Sequence, residues 1–179
     1  MARVLFVNAG ILGLAAYHTF LKETLPNQTQ LHGELILLSE QMSFVDRALR
    51  RVLNTRLWKD GWLGTANVDF PRFRAELNTG LHARRRIASA DPDRFDALFF
   101  HRQSAAWGSL DLMKRIPSIV SIDATQDVVM NAATSRIERR TYIPNARVDG
   151  AVFRAAAGVI STSQWTADRL KARYPDVRT

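Results

Sequence analysis

Five short apolar segments recur along the chain, and stretches with helical spacing separate them. Each segment is continuously hydrophobic, which is typical of a strand that other elements cover on both faces. Strands that alternate with helices predict a parallel sheet joined by right-handed crossovers. The segments are RVLFVN (3–8), ELILLS (34–39), DALFFH (96–101), SIVSID (118–123) and GVISTS (158–163). The sequence therefore predicts a doubly wound α/β fold.

Two of the intervening stretches show clear helical periodicity. One face after the first strand carries Leu14, Tyr17, Leu21 and Leu25. The stretch from Ser43 to Trp58 carries an aliphatic stripe, which we expect to pack largely on the sheet. The stripe consists of Val45, Ala48, Leu49, Val52 and Leu53. Residues 59–72 are predicted to form a loop, and Pro144 is expected to break or kink a helical pattern over 132–157.

The composition is that of one globular domain, here residues 1–179. The chain has no cysteine, which excludes disulfides and thiolate metal sites and favours a reducing compartment. Its longest apolar runs are far shorter than the ~20 residues that span a bilayer. We therefore predict a cytoplasmic protein.

The net charge of +8 is concentrated in two segments. Residues 43–60 contain five basic and two acidic residues, and residues 72–86 contain five basic and one acidic residue. Such a distribution suits an anionic partner such as lipid headgroups, phosphates or nucleic acid, and an ordinary solvated helix surface is the alternative. Arg47, Arg50 and Arg51 are predicted to face an anion or a membrane, since they lie opposite the aliphatic stripe.

Polar residues follow the predicted strands at the edge where open α/β sheets bind ligands. Ionisable groups come directly after the buried runs of strands three and four, a position where a charged side chain contributes little to the stability of the fold. The candidates at this edge are His101, Arg102, Asp123, Gln126, Asp127 and Ser163.

Gly10 and Gly13 follow the first strand and allow a tight turn into a helix whose free N–H groups can face an anion. The pattern is only G-x-x-G. A dinucleotide fingerprint needs G-x-G-x-x-G, so a nicotinamide oxidoreductase is a weaker alternative even though Glu40 lies where a ribose-binding acid would be expected.

No metal or hydrolase chemistry is predicted. The four histidines lack zinc-ligand spacing, and Asp123 and Asp127 lack neighbours that would complete a magnesium site. Ser104, Ser161 and Ser163 have no nucleophile-elbow setting.

The GILG turn, "DALFFHRQ", "IPSIVSIDATQD" and "AAAGVISTSQWTADRLKARYP", in this order, resemble the amino-terminal half of family 4 (group 1) glycosyltransferases of GT-B architecture. The likeness covers nearly the whole chain and is strongest over 96–175. It implies a single Rossmann-like, mainly parallel acceptor-binding domain. It also implies that the donor-binding domain is absent from this chain, so that the chain alone is not expected to transfer sugar.

The resemblance also implies roles for individual residues. Gly10 and Gly13 match the turn that approaches the donor phosphates, although the family's adjacent Gly-Gly is absent. Asp123 and His101 lie where the family places groups beside the reacting sugar, and they are the predicted catalytic residues. The predicted acceptor-binding residues are Arg102, Gln126, Asp127 and Ser163.

The implied reaction retains the configuration at the anomeric carbon and requires neither metal nor cofactor, since the nucleotide sugar is a co-substrate. The implied acceptor is a sugar, a lipid-linked sugar or a small molecule, and peripheral contact with an anionic membrane is compatible with the basic helices. A nucleotide-dependent oxidoreductase and a basic module that binds anionic lipid or nucleic acid are the alternatives. Nucleic acid is not the expected partner.

Overall fold

A computed structural model describes residues 1–10, 14–40 and 42–179, and it contains a five-stranded parallel sheet. The strands are β1 (Ala2–Asn8), β2 (Leu31–Leu37), β3 (Ala97–His101), β4 (Ser118–Ile122) and β5 (Gly158–Ser161). Their order in the sheet is β2-β1-β3-β4-β5. All neighbours pair in parallel. The five predicted strands and the Rossmann-like α/β class are confirmed.

Helices connect the strands. They are α1 (Leu14–Thr24), α2 (Phe44–Asn54), α3 (Gly61–Thr65), α4 (Pro71–Ser89), α5 (Gln103–Ala106), α6 (Leu110–Met113), α7 (Gln126–Ala132), α8 (Arg136–Thr141), α9 (Ile143–Ala155) and α10 (Gln164–Arg173). Short 3-10 turns span Leu25–Asn27, Pro92–Arg94 and Trp107–Ser109. The stretch predicted as a loop over 59–72 contains α3 and the start of α4. Pro144 lies in the first turn of α9, directly after α8, so the predicted break is confirmed.

The larger core lies on one face of the sheet, where alternate residues of β1, β3 and β4 meet α4, α9 and α10. Leu98, Phe100 and Val120 are completely buried there, together with Ile87 and Val152. Helix α4 leads to β3 and helix α9 leads to β5, and both strands lie on the same side of β1 in the sheet. The two helices therefore share one face, as right-handed crossovers require.

The smaller core lies on the opposite face, beneath α1. Leu21 and Leu25 pack on Phe6, with Tyr17 at the margin of this cluster. The predicted apolar face of the first helix is confirmed for these three residues. Since α1 leads back to β2, on the other side of β1, its position on the second face completes the doubly wound arrangement.

Two glycines allow α4 to approach the Trp107–Ser109 turn at backbone distance. A Cβ atom on Gly80 would lie 2.8 Å from the Cβ of Trp107 and 3.0 Å from the nitrogen of Gly108. The indole of Trp107 is buried and packs at a ring-centroid distance of 5.6 Å from Phe73, also on α4. This contact fixes α4 along the sheet and so places its polar residues at the carboxyl edge.

Helix α2 is oriented differently from the prediction. Phe44, Val45 and Val52 are 78%, 55% and 68% exposed, whereas Asp46 is buried against α4. The expectation that the aliphatic stripe packs on the sheet is therefore wrong. The ion pair of Asp46 with α4, described below, holds Asp46 inward, whereas Arg47, Arg50 and Arg51 of the same helix stay exposed.

Candidate functional site

The strand order reverses between β1 and β3, and the carboxyl ends of these two strands form the switch point of the sheet. Ligands of open α/β sheets bind in the crevice at such a point. Asn8 and His101 are paired in register there. The predicted residues Gly10, His101 and Arg102 follow directly, so the structure brings these three together at the switch point.

Gly10 forms a tight turn after β1. Its N–H donates to Asn8 Oδ1 at 2.8 Å, and its φ of 68° is left-handed. A Cβ atom here would meet the Ser39 hydroxyl and would lie 2.9 Å from Leu37 Cδ1. Conformation and close packing therefore both require glycine. Gly13 lies outside the described residues.

His101 is half-buried at the end of β3. Its ring packs edge-on against Tyr17 with a centroid distance of 4.2 Å, and its Nδ1 has no hydrogen-bond partner. Burial lowers the pKa of His101 below its ordinary value, and the negative charge of Asp123 opposes part of this shift. The imidazole is therefore neutral at neutral pH and can accept a hydrogen bond.

Asp123 follows β4 at the same edge, and its side chain is exposed. Its backbone carbonyl accepts a hydrogen bond from Thr166 Oγ1 at 2.7 Å, which ties the end of β4 to α10. Its charge acts on the pKa of His101. The two predicted catalytic side chains thus lie within electrostatic reach of each other, and their chemical roles stay predictions.

Arg102 has a φ of 106°, a strained conformation for a residue with a side chain. Its guanidinium lies 3.6 Å from the buried carboxylate of Glu76, and Arg72 Nε lies 3.1 Å from the same oxygen. Gln126 Nε2 and Asn145 Nδ2 donate to Glu76 at 3.1 and 3.0 Å. Two partly exposed guanidinium groups therefore share the one carboxylate of Glu76, which does not fully neutralise either of them.

The other predicted acceptor-binding residues have partners within the fold. Gln126 is buried on Glu76. Asp127 accepts from the Thr125 hydroxyl and lies 3.1 Å from Arg169 of α10. Ser163 caps α10, with its Oγ accepting from the Thr166 N–H at 3.2 Å. A structural role accounts for these contacts, and acceptor binding by these residues stays a prediction.

One buried carboxylic acid, Asp149, lies in the interior of the protein beneath the residues of the carboxyl edge. Asp149 of α9 is completely buried, and its Oδ1 accepts from Trp107 Nε1 at 2.7 Å. Its Oδ2 has no partner, nor do the side-chain oxygens of Gln103 and Gln126. Burial, and then the charge of Glu76, raise the pKa of Asp149 to about 7 against the hydrogen bonds that it accepts. No local sequence pattern marks Asp149, because it lies within the helical pattern of α9.

Asp46 attaches α2 to α4. Arg85 Nε donates to Asp46 Oδ1 at 2.8 Å, and His82 Nδ1 lies 3.0 Å from the same oxygen. Ser43 completes a capping box with Asp46. Burial alone would raise the pKa of Asp46, but hydrogen bonds from Ser43, Arg85 and His82 outweigh it, and the pKa lies well below its ordinary value. The Ser-x-x-Asp spacing is a sequence signal that could have indicated the cap, but it does not indicate the long-range pair.

The two basic segments differ in the structure. In the segment 72–86, Arg72, Arg74, Arg84 and Arg85 all pair with carboxylates, so this segment does not form the free basic face that its composition indicated. Arg47, Arg50 and Arg51 are exposed and make no ion pair within the described part of the chain. The three arginines predicted to face an anion therefore carry charges that no carboxylate of the described residues neutralises.

The same part of the chain, residues 44–62, also carries exposed apolar side chains. We call them the 44–62 apolar surface; its members are Phe44, Val45, Val52, Leu57, Trp58 and Trp62. Trp62 is 67% exposed.

Within residues 1–10, 14–40 and 42–179, no helix is long and apolar enough to cross a bilayer. The same residues contain no group of three or more His, Asp or Glu side chains that could hold a metal ion.

The strand order and the parallel pairing define the class of the protein as a Rossmann-like α/β domain, with polar residues at the switch point of its sheet. No protein-family model matches the chain, and no curated protein sequence matches it significantly.

Proposed function

We propose that the chain is the acceptor-binding domain of a glycosyltransferase that uses a nucleotide-sugar donor. The observation that supports this proposal is the set of groups at the switch point. A glycine turn, a neutral imidazole and an incompletely neutralised guanidinium lie together there, as Gly10, His101 and Arg102. Sugar transfer with retention needs an oriented acceptor hydroxyl and stabilisation of the leaving diphosphate.

The chemistry of each group suits one of these tasks. The neutral imidazole of His101 can accept a hydrogen bond from an acceptor hydroxyl, and the exposed carboxylate of Asp123 can orient a second one. Arg102 and the glycine turn offer positive charge and a close backbone approach to a diphosphate. In this proposal a second domain binds the nucleotide, and the acceptor is a saccharide or a saccharide-like small molecule.

Saturation-transfer NMR on the purified chain tests the proposal. The ligands are a panel of mono- and disaccharides, UDP-glucose and nicotinamide adenine dinucleotide. We expect at least one saccharide to bind, and we expect His101→Ala and Asp123→Asn each to weaken its binding about tenfold, the equivalent of one lost hydrogen bond of about 1.4 kcal/mol. Asp93→Asn is the control, because Asp93 is exposed and pairs with Arg115 away from the carboxyl edge.

Two outcomes would contradict this proposal. If the dinucleotide binds and no saccharide does, the oxidoreductase alternative is the better interpretation. If the purified chain turns over a nucleotide sugar unaided, then it is not half of a catalytic unit.

We further propose that the protein attaches peripherally to the anionic surface of a membrane, on its cytoplasmic side. The 44–62 apolar surface supports this proposal, because it combines exposed aromatic and aliphatic side chains with Arg47, Arg50 and Arg51. Amphipathic helices that rest in a bilayer interface have this composition. Each basic residue near an anionic bilayer contributes about 1 kcal/mol, and the tryptophans suit the headgroup region.

Vesicle co-sedimentation tests the attachment. We expect stronger binding to vesicles with phosphatidylglycerol than to phosphatidylcholine vesicles, and weaker binding as salt rises. Arg47→Gln with Arg51→Gln should weaken the binding to anionic vesicles about tenfold or more, since two charges are removed. Phe44→Ser with Trp62→Ser should weaken binding to both vesicle types.

Lys114→Gln with Arg115→Gln is the matched control, because these exposed residues precede β4 at the opposite edge of the sheet. Equal binding to neutral and anionic vesicles, or binding that the control changes as much as the α2 variants do, would refute the attachment.

A further inference from the structure

A second pocket opens beside the switch point, at the carboxyl ends of β1 and β2 between α2 and α4. Its volume is about 270 Å³. Pockets for drug-sized ligands occupy roughly 300–1,000 Å³, so this one suits a ligand of about one sugar ring. The residues that matter for recognition are Gly10, Ser39, Arg50, Asn78 and His82, all of which line the pocket.

Asn78 is the first sign of a ligand. Its side chain is only 7% exposed, it lines the pocket, and its Oδ1 atom has no hydrogen-bond partner. A buried acceptor without a donor is costly, by about 1–3 kcal/mol. Since the neighbouring residues do not supply the donor, a ligand hydroxyl in the pocket would satisfy this oxygen.

Arg50 is the second sign. Arg50 lines the pocket, and its guanidinium contacts Met42 Sδ at 3.5 Å but pairs with no carboxylate among the described residues. The other charged groups near the pocket are already matched. Asp46 lies behind His82 and pairs with Arg85, and His82 Nε2 is 2.9 Å from the carbonyl oxygen of Leu38. An unpaired guanidinium in such a place selects an anion, and its fork geometry suits phosphate.

From these two groups we infer that the pocket binds a phosphorylated polyol or sugar of about one ring, with its phosphate on Arg50 and a hydroxyl on Asn78. The Ser39 hydroxyl, which lies against Gly10 in the same pocket, offers a further polar contact. This inference does not depend on the glycosyl transfer proposed above, because neither Arg50 nor Asn78 belongs to the switch-point set.

The ligand has two possible sources, a free phosphate ester or the headgroup of a membrane lipid. Arg50 and Met42 lie at α2, the helix that also carries much of the 44–62 apolar surface. The experiment therefore includes one probe of each kind. Glucose 6-phosphate represents the free ester, and vesicles of phosphatidylglycerol represent a lipid whose phosphate carries a polyol with free hydroxyls.

Calorimetric titration with glucose 6-phosphate is the first arm, with glucose and inorganic phosphate as reference ligands. We expect glucose 6-phosphate to bind more tightly than either reference. Arg50→Gln should weaken its binding about tenfold or more, whereas Arg47→Gln on the same helix, outside the pocket, should leave it unchanged. Asn78→Leu, which removes the unpartnered oxygen at similar volume, should weaken binding without lowering the melting temperature.

Phosphatidylglycerol vesicles form the second arm, with phosphatidylserine vesicles as an equally charged lipid that lacks the polyol. A preference for phosphatidylglycerol that Arg50→Gln abolishes assigns the headgroup as the source, and tight binding of glucose 6-phosphate without that preference assigns the free ester. The inference is overturned if neither probe binds better than its reference, or if Arg50→Gln and Arg47→Gln weaken the binding of glucose 6-phosphate equally.

Discussion

Replacing Gly80 with valine will lower the free energy of unfolding by about 3 kcal/mol, even though valine is a better helix former than glycine. The added side chain would lie within 3.0 Å of both the Trp107 Cβ and the Gly108 nitrogen, and the latter belongs to the backbone and cannot rotate away. Overpacking of this kind outweighs the gain in helix propensity of less than about 1 kcal/mol. Urea denaturation followed by circular dichroism measures the effect.

Gly158→Val is the matched control. A Cβ atom on Gly158 meets nothing within 4 Å, and the residue begins β5, where a β-branched side chain is favourable. The control should therefore change stability by less than about 0.5 kcal/mol. Equal destabilisation by the two variants would show that the contact between α4 and the Trp107–Ser109 turn is not what requires glycine at position 80.

Replacing Asp149 with asparagine will stabilise the protein at pH 8 and remove a pH dependence between about pH 4 and pH 7. Burial raises the pKa of Asp149 to about 7 from an ordinary value of 3.8. The folded state therefore holds a proton that the unfolded state has lost in this range, and stability falls as pH rises through it. The shift corresponds to a few kcal/mol at most, at about 1.4 kcal/mol per pH unit.

Asparagine suits the site as well as the neutral acid does. Its Oδ1 can accept from Trp107 Nε1, and its Nδ2 can donate toward the side-chain oxygens of Gln103 and Gln126, which lack partners. The nearby charges of Glu76, Arg72 and Arg102 are unchanged in the variant. Thermal unfolding at pH 5 and pH 8 measures the difference between the two proteins.

Asp176→Asn controls for a general loss of negative charge. Asp176 is exposed and pairs with Arg154, whose hydrogen bond lowers the Asp176 pKa. This variant should keep the parent protein's slope between pH 5 and pH 8. If Asp149→Asn keeps that slope as well, then Asp149 is ionised in the folded protein.

The strands could be predicted from the sequence because their signal is local. The β3 run Ala97–His101 is apolar up to its last residue, and Phe100 is completely buried in it. Burial on both faces leaves no room for polar alternation, so the run itself marks the strand. The polar residues at the carboxyl edge followed from the same reasoning, since parallel strands all end there.

The orientation of α2 could not be predicted in this way. Periodicity tells which residues share a face, but it does not tell which face points inward. The deciding contact joins Asp46 to Arg85, 39 positions along the chain. Charge pairing over that distance leaves no pattern in one sequence, and hydrophobic spacing alone favoured the wrong side.

Only some residues of the candidate site could be marked from the sequence, because the sequence signal is again local. Gly10, His101 and Arg102 lie at or after the ends of strands, and this position marks them as candidate residues. Asn78 and Asp149 lie within helices, where nothing in the local sequence marks them as unusual. The left-handed backbone of Arg102 also had no sequence signal, because it depends on how β3 meets α5. Groups whose importance comes from burial become visible only when the packing is known.

Because α2 is held to the rest of the molecule by a polar cluster, its outward residues and the hydrophobic core can change independently. Phe44, Val45 and Val52 contribute little to either core cluster, so substitutions there carry almost no penalty for folding. Single substitutions at these outward residues, natural or engineered, could therefore change the binding preference of the 44–62 apolar surface while Asp46 and Arg85 keep the helix in place. Most helices lack this freedom, since the residues that define their apolar face are also the ones that hold the fold together.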